Sequence, residues 1–122
     1  MVLIQTPPAR LPDRVTVTEF TLRNYASKVV RPAFPAQSLR KKNQGVAVVQ
    51  ILVDKEGAVT SVNRLEAPDD SIAQAVERAV LKWKFKAPTI RGNPVPINGK
   101  LTFYFVIENN KGIVRNPKPF RQ

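Results

Sequence analysis

An α+β domain, with a three-stranded antiparallel sheet and helices packed on one face, is the fold class this sequence predicts. Three stretches predict it. Val46–Asp54 and Leu101–Ile107 alternate apolar residues with period two, the mark of a strand with one buried face. Between them Ile72, Ala75, Val76, Ala79, Val80 and Trp83 recur at helical spacing, drawing an apolar stripe along about three turns of helix. A sheet with one apolar face and a helix with one apolar stripe satisfy each other, so the economical packing lays the helix on the sheet.

The chain of 122 residues has room for one domain with flanking arms, and 43 % apolar residues is an ordinary globular proportion. Ten of its 11 prolines gather near the two ends, at 32 and 35, and between 88 and 96, which places the joints around a folded middle. There is no cysteine, hence no disulfide framework, and no histidine, which removes Ser-His and Cys-His nucleophile pairs and most zinc sites. No apolar run approaches the roughly 20 residues that span a bilayer. Met1-Val2-Leu3-Ile4 is too short for the core of a signal peptide, so the chain reads as cytosolic or as a piece whose anchor lies elsewhere.

The net charge of +11 raises the question of nucleic acid until it is mapped. Residues 1–44 hold eight Lys/Arg against two acids and residues 108–122 four against one, whereas 45–107 holds eight against six. Basic arms around a nearly neutral middle suit solvated surfaces or anionic partners. They do not make a base-reading face, because the aromatics fall at core-like positions and do not interleave with the charges.

Along the chain, 1–14 is proline-rich and irregular, and the β-branched run Val15–Leu22 predicts a strand. Leu22, Tyr25, Ala26 and Val29 follow at helical spacing for two turns. Pro32-Ala33-Phe34-Pro35 is a stiff corner. Pro35 suits the first position of a short helix over Ala36–Lys42, with Leu39 inward. Gly45 closes that segment. Ala47, Val49, Ile51 and Val53 then share one strand face, Asp54-Lys55-Glu56-Gly57 turns the chain with Gly57 at positive φ, and Ala58–Glu66 returns. Asp69-Asp70 caps the long helix, predicted over 70–85 and stopped by Pro88. Arg91–Pro96 is a loop. The last strand puts Leu101, Phe103, Phe105 and Ile107 on one face and Thr102, Tyr104 and Val106 on the other. Asn109–Gly112 turns, Ile113-Val114 is placed to pair back briefly, and a basic tail follows.

In this order the residues resemble the TonB C-terminal domain family over roughly 30–108. Pro32-Ala33-Phe34-Pro35 stands where the family has a proline, a spacer, an aromatic and a second proline. Gly45 to Gly57 is similar to its hairpin. Trp83-Lys84-Phe85-Lys86-Ala87-Pro88 resembles its signature of tryptophan, a second aromatic two residues on, then proline. Gly92-Asn93-Pro94-Val95 and the final strand follow in the expected order. The divisions are then an N-terminal arm 1–29 with room for an extra strand or short helix, the domain 30–108, and a basic tail 109–122.

The resemblance implies a periplasmic domain of an energy transducer anchored in the inner membrane and coupled there to a proton-driven motor. It implies a grip on the TonB box, an N-terminal segment of TonB-dependent outer-membrane transporters, lying as an added strand against the last strand of the domain. The partner-binding residues expected are Arg31, where the family's best-known member has glutamine, Phe34, and Leu101, Thr102, Phe103, Tyr104, Phe105, Val106 and Ile107. An edge strand has unpaired N–H and C=O groups that template another chain, so such a grip demands little of the partner's sequence. The same open edge makes a homodimer possible. Phe34 and Trp83 also fit as core anchors, and Ile113-Val114 or Val15–Leu22 could instead cover the edge. No catalytic residue, metal or cofactor is expected, and Asp69-Asp70 is explained as a helix cap, not as an acid–base pair. The competing readings are a TonB-like domain serving secretion, envelope integrity or sensing, and a basic nucleic-acid-binding module.

Overall fold

The computed structural model describes residues 14–117. The proline-rich stretch before residue 14 and the end of the basic tail lie outside the described residues. The elements run β1 (Val15–Thr16), α1 (Glu19–Tyr25), β2 (Ala26–Lys28), α2 (Ala36–Arg40), β3 (Gly45–Val53), β4 (Val59–Glu66) and α3 (Asp70–Val80). They continue with β5 (Lys84–Phe85), β6 (Thr89–Ile90), β7 (Asn93–Pro94), β8 (Ile97–Glu108) and β9 (Lys111–Arg115).

The predicted trio is present. β3 is central, antiparallel to β4 on one side and to β8 on the other, in register from Gly45↔Phe105 to Val53↔Ile97. Two more strands join the outer side of β8: β1 runs parallel to it at Val15↔Ile97, and β9 antiparallel from Tyr104↔Arg115 to Glu108↔Lys111. The α+β class therefore holds, but the sheet is mixed and five-stranded, not three-stranded and antiparallel. Ala47, Val49, Ile51 and Val53 from β3 and Leu101, Phe103 and Phe105 from β8 point to one face, each no more than 1 % exposed. α3 packs on β3 and β4, and its Ile72, Val76 and Val80 join those residues in one core.

Three local expectations change. Val15–Leu22 is not one strand, because the Thr18 side chain accepts the Thr21 N–H and starts α1 at Glu19, outweighing β-branched propensity. α3 ends at Val80, short of 85. Two tight turns, Lys82 N–H to the Ala79 carbonyl and Trp83 N–H to the Val80 carbonyl, redirect the chain so that Lys84–Phe85 pairs with β2. Trp83 stays buried at 1 % exposure, beyond the helix. In α2, Pro35 is the cap and Ser38, not Leu39, is the fully buried residue, since its hydroxyl donates to Asp69. Val15–Thr16 and Lys111–Arg115 add strands to the same sheet, and Leu22 and Val114 join its core, so the described parts of arm and tail pack with the middle.

Asp69 ties these elements together. One carboxylate oxygen accepts the Ile72 N–H as the cap of α3, and the other accepts the Ser38 hydroxyl and the Asn43 amide at 2.7 and 2.8 Å. Desolvation pushes its carboxyl up, but the Ile72, Asn43 and Ser38 hydrogen bonds outweigh it and hold the carboxyl below its ordinary value. A depressed folded pKa means that this stabilisation is complete above the unfolded pKa and is lost as pH falls through the folded one. Asp69→Ala is expected to cost about 1–2 kcal/mol in urea unfolding at neutral pH. The gap between variant and parent should narrow below about pH 4. An equal gap at both pH values would show that the carboxylate charge contributes nothing.

Candidate functional site

β8 is the longest strand, and its two sides differ. β3 takes the whole inner side from Ile97 to Phe105. Backbone groups alternate between the sides, and the hydrogen bonds show which residues face which way. The Pro96 and Asn98 carbonyls accept from Val15 and Val17, and the Thr102 N–H donates to Glu19, so even-numbered residues face outward. The Ile107 N–H donates to the side chain of Gln44, which precedes β3, so odd-numbered residues face inward.

Leu101–Ile107 is therefore not an open edge, which corrects the sequence-based expectation. β1 pairs with the start of β8, α1 lies beside its middle, and β9 pairs with 104–108. An unpaired strand edge is a standing liability, and the chain covers this one with its own flanking segments. The hairpin that returns β9 forms because Asn109 and Asn110 take φ of 52° and 63°, the left-handed pair a two-residue turn requires. On β9 the pairing leaves Gly112 and Val114 with their N–H and C=O groups directed away from β8.

The expected binding residues separate into three groups. Leu101, Phe103 and Phe105 are core residues, and Ile107 is half-buried on the same face. Thr102, Tyr104 and Val106 face the other side of the sheet, where Tyr104 and Val106 line a shallow groove with Arg115, Asn116 and Pro117. Phe34 is half-buried, its ring 5.5 Å from that of Phe105. It lies directly under Gly112, where any side chain would overlap the Phe34 ring, so β9 lies over the aromatic that the proline corner presents. Arg31 is exposed and in no ion pair among the described residues.

Glu19, Arg23 and β9 as a full strand were missed. The i,i+4 spacing of Glu19 and Arg23 and the Asn109-Asn110 turn were the available signals. Trp83 anchors the core, donating its indole N–H to the Val30 carbonyl at 2.8 Å. Among the described residues no cluster of Asp and Glu is arranged to hold a metal ion.

The site is a sheet margin beside partly buried aromatics, on a small α+β module. Residues 30–107 match the family model described as Gram-negative bacterial TonB protein C-terminal, and the chain belongs to that family. The solution NMR structure of Pseudomonas aeruginosa TonB CTD shares its fold, with a TM-score of 0.59 and 22 % identity over 69 % of this chain and 86 % of that one. Protein TonB of Yersinia enterocolitica is 36 % identical over 58 residues, 47 % of this chain. The match spans 23 % of that protein's length.

Proposed function

We propose that this chain is the partner-gripping domain of a TonB-type energy transducer, acting in the periplasm and joined through an inner-membrane anchor to a proton-driven motor. It takes the N-terminal TonB-box segment of an outer-membrane transporter as a strand beside β8 and so supports import across the outer membrane. The observation that carries this reading is β9: a five-residue antiparallel strand already occupies the outward groups of Tyr104, Val106 and Glu108. A partner strand that replaces β9 would meet the same donors and acceptors, with Phe34 and Tyr104 beside it. Backbone pairing of this kind suits one domain to many transporters. The role is one of binding and force transfer, with no catalytic group assigned.

The alternation of β8 defines the test. Tyr104→Pro removes an outward N–H and Phe103→Pro an inward one. Tyr104→Pro takes a donor from β9 and from an incoming strand alike, so the deciding variant is Asn110→Val, which strains the left-handed turn that returns β9 and is expected to tighten binding of a transporter TonB-box peptide by about tenfold. Phe103→Pro is expected to unfold. A folded Asn110→Val variant that binds like the parent would move the grip away from β8, to Arg31 and Phe34.

A further inference from the structure

Between the segments of β8 covered by β1 and β9, the outward edge is closed by side chains. Glu19 Oε2 accepts the backbone N–H of Thr102 at 2.7 Å, and Oε1 accepts its hydroxyl at 2.8 Å. One turn further along α1, Arg23 Nη2 donates to the Thr102 carbonyl at 2.8 Å, while its Nε holds Glu19 at 2.9 Å. The pair thus supplies an acceptor and a donor where a neighbouring strand would place its own carbonyl and N–H. Arg23 also lies over the rings of Trp83 and Phe103, 5.7 and 5.3 Å from their centroids. Its side chain and that of Glu19 are 22 % and 24 % exposed, and every partner in the other ion pairs of the described residues is more open.

Anchoring α1 does not need this arrangement, since Leu22 at 0 % exposure already roots the helix in the core. We infer that α1 is a removable seal on β8, with Glu19 and Arg23 standing in for a strand at Thr102. With the seal closed, an added strand pairs only from Tyr104 onward. With it open, the strand extends through Thr102 and gains the two backbone hydrogen bonds that Glu19 and Arg23 now hold. This inference rests on the reading that β8 receives a partner strand. It adds that the chain's own α1 competes for part of that edge and so sets the length of the paired register. An apparent affinity is lowered by the fraction of molecules whose edge is closed, so weakening the seal strengthens binding without any new contact to the partner.

The test compares the parent with Glu19→Ala, which removes the acceptor, and Glu19→Gln, which keeps an acceptor oxygen but loses the charge. Each is titrated with a synthetic transporter TonB-box peptide, and exchange of the Thr102 amide is followed by NMR in the free proteins. Glu19→Ala is expected to speed Thr102 exchange and tighten peptide binding by roughly tenfold, with Glu19→Gln between it and the parent. Unchanged Thr102 exchange, or faster exchange with unchanged or weaker affinity in a folded protein, overturns the seal. Should neither parent nor variant bind the peptide, the strand-acceptor role fails and the seal is decided by self-association. A freed edge then pairs Glu19→Ala molecules with one another, expected as concentration-dependent dimers in sedimentation that the parent lacks. Monomers throughout would overturn the seal as well.

Discussion

Trp83→Ala is expected to lower the free energy of unfolding by about 3–5 kcal/mol, the usual cost of emptying a buried aromatic site. The side chain is 1 % exposed and lies 6.0 Å from the Phe85 ring and 6.1 Å, edge-on, from Phe103. Its removal would open a cavity where α3, β5 and β8 converge. It would also orphan the Val30 carbonyl and take away the ring on which Arg23 rests. Against a total stability of about 5–15 kcal/mol for a small domain, that is a large share of the margin that keeps the chain folded. Trp83→Phe separates the two contributions. It keeps most of the apolar volume and loses the indole donor, so a smaller cost of about 1–3 kcal/mol is expected. Urea unfolding checks both, and a Trp83→Ala variant with the parent's midpoint would remove this residue from the core.

Gly57→Val is the second large effect, expected at about 3 kcal/mol or more. Gly57 sits at φ +89°, a conformation in which a β-branched residue is strained. The neighbourhood adds a steric cost that the turn alone does not have. The Phe85 N–H donates to the Gly57 carbonyl at 2.9 Å, and a Cβ at position 57 would overlap the Phe85 carbonyl oxygen. The two backbones meet with no space between them. Because the collision is complete at Cβ, Gly57→Ala is expected to cost nearly as much as Gly57→Val, whereas turn strain alone would separate them. Denaturant midpoints of the two variants decide this, and a parent-like Gly57→Ala would show that β5 is not tied to the turn.

Elements that depend on neighbours in sequence were legible. Period-two alternation marked β3 and the core face of β8, because a residue's side of a strand is set by the parity of its position. The Asp54–Gly57 turn and the Asp69 cap were legible for the same reason, since each needs particular residues within a few positions. The Pro-x-Phe-Pro corner and the Trp-x-Phe signature placed the family. α1 was legible only as two turns of helical spacing from Leu22, because the β-branched residues Val15–Thr18 precede it and the capping role of Thr18 appears only when its hydroxyl meets the Thr21 N–H. The end of α3 was misplaced because the apolar stripe runs on through Trp83, although the chain leaves the helix at Val80. Periodicity records burial, and Trp83 is buried either way.

The sequence by itself determined which side chains form the core, where the hairpin turns, which helix lies on the sheet, and the family to which residues 30–107 belong. The condition of the sheet's edge was decided by tertiary structure alone. A strand has the same alternation whether its outer hydrogen bonds go to solvent, to another protein or to its own chain. That β8 is covered in turn by β1, by Glu19 and Arg23, and by β9 depends on contacts with partners as far as 83 residues away in the chain. The outward parity of Thr102, Tyr104 and Val106 follows from the register with β3, which joins residues about 50 positions apart. Backbone groups carry no residue identity, so which of them remain available to a partner is a property of the folded sheet.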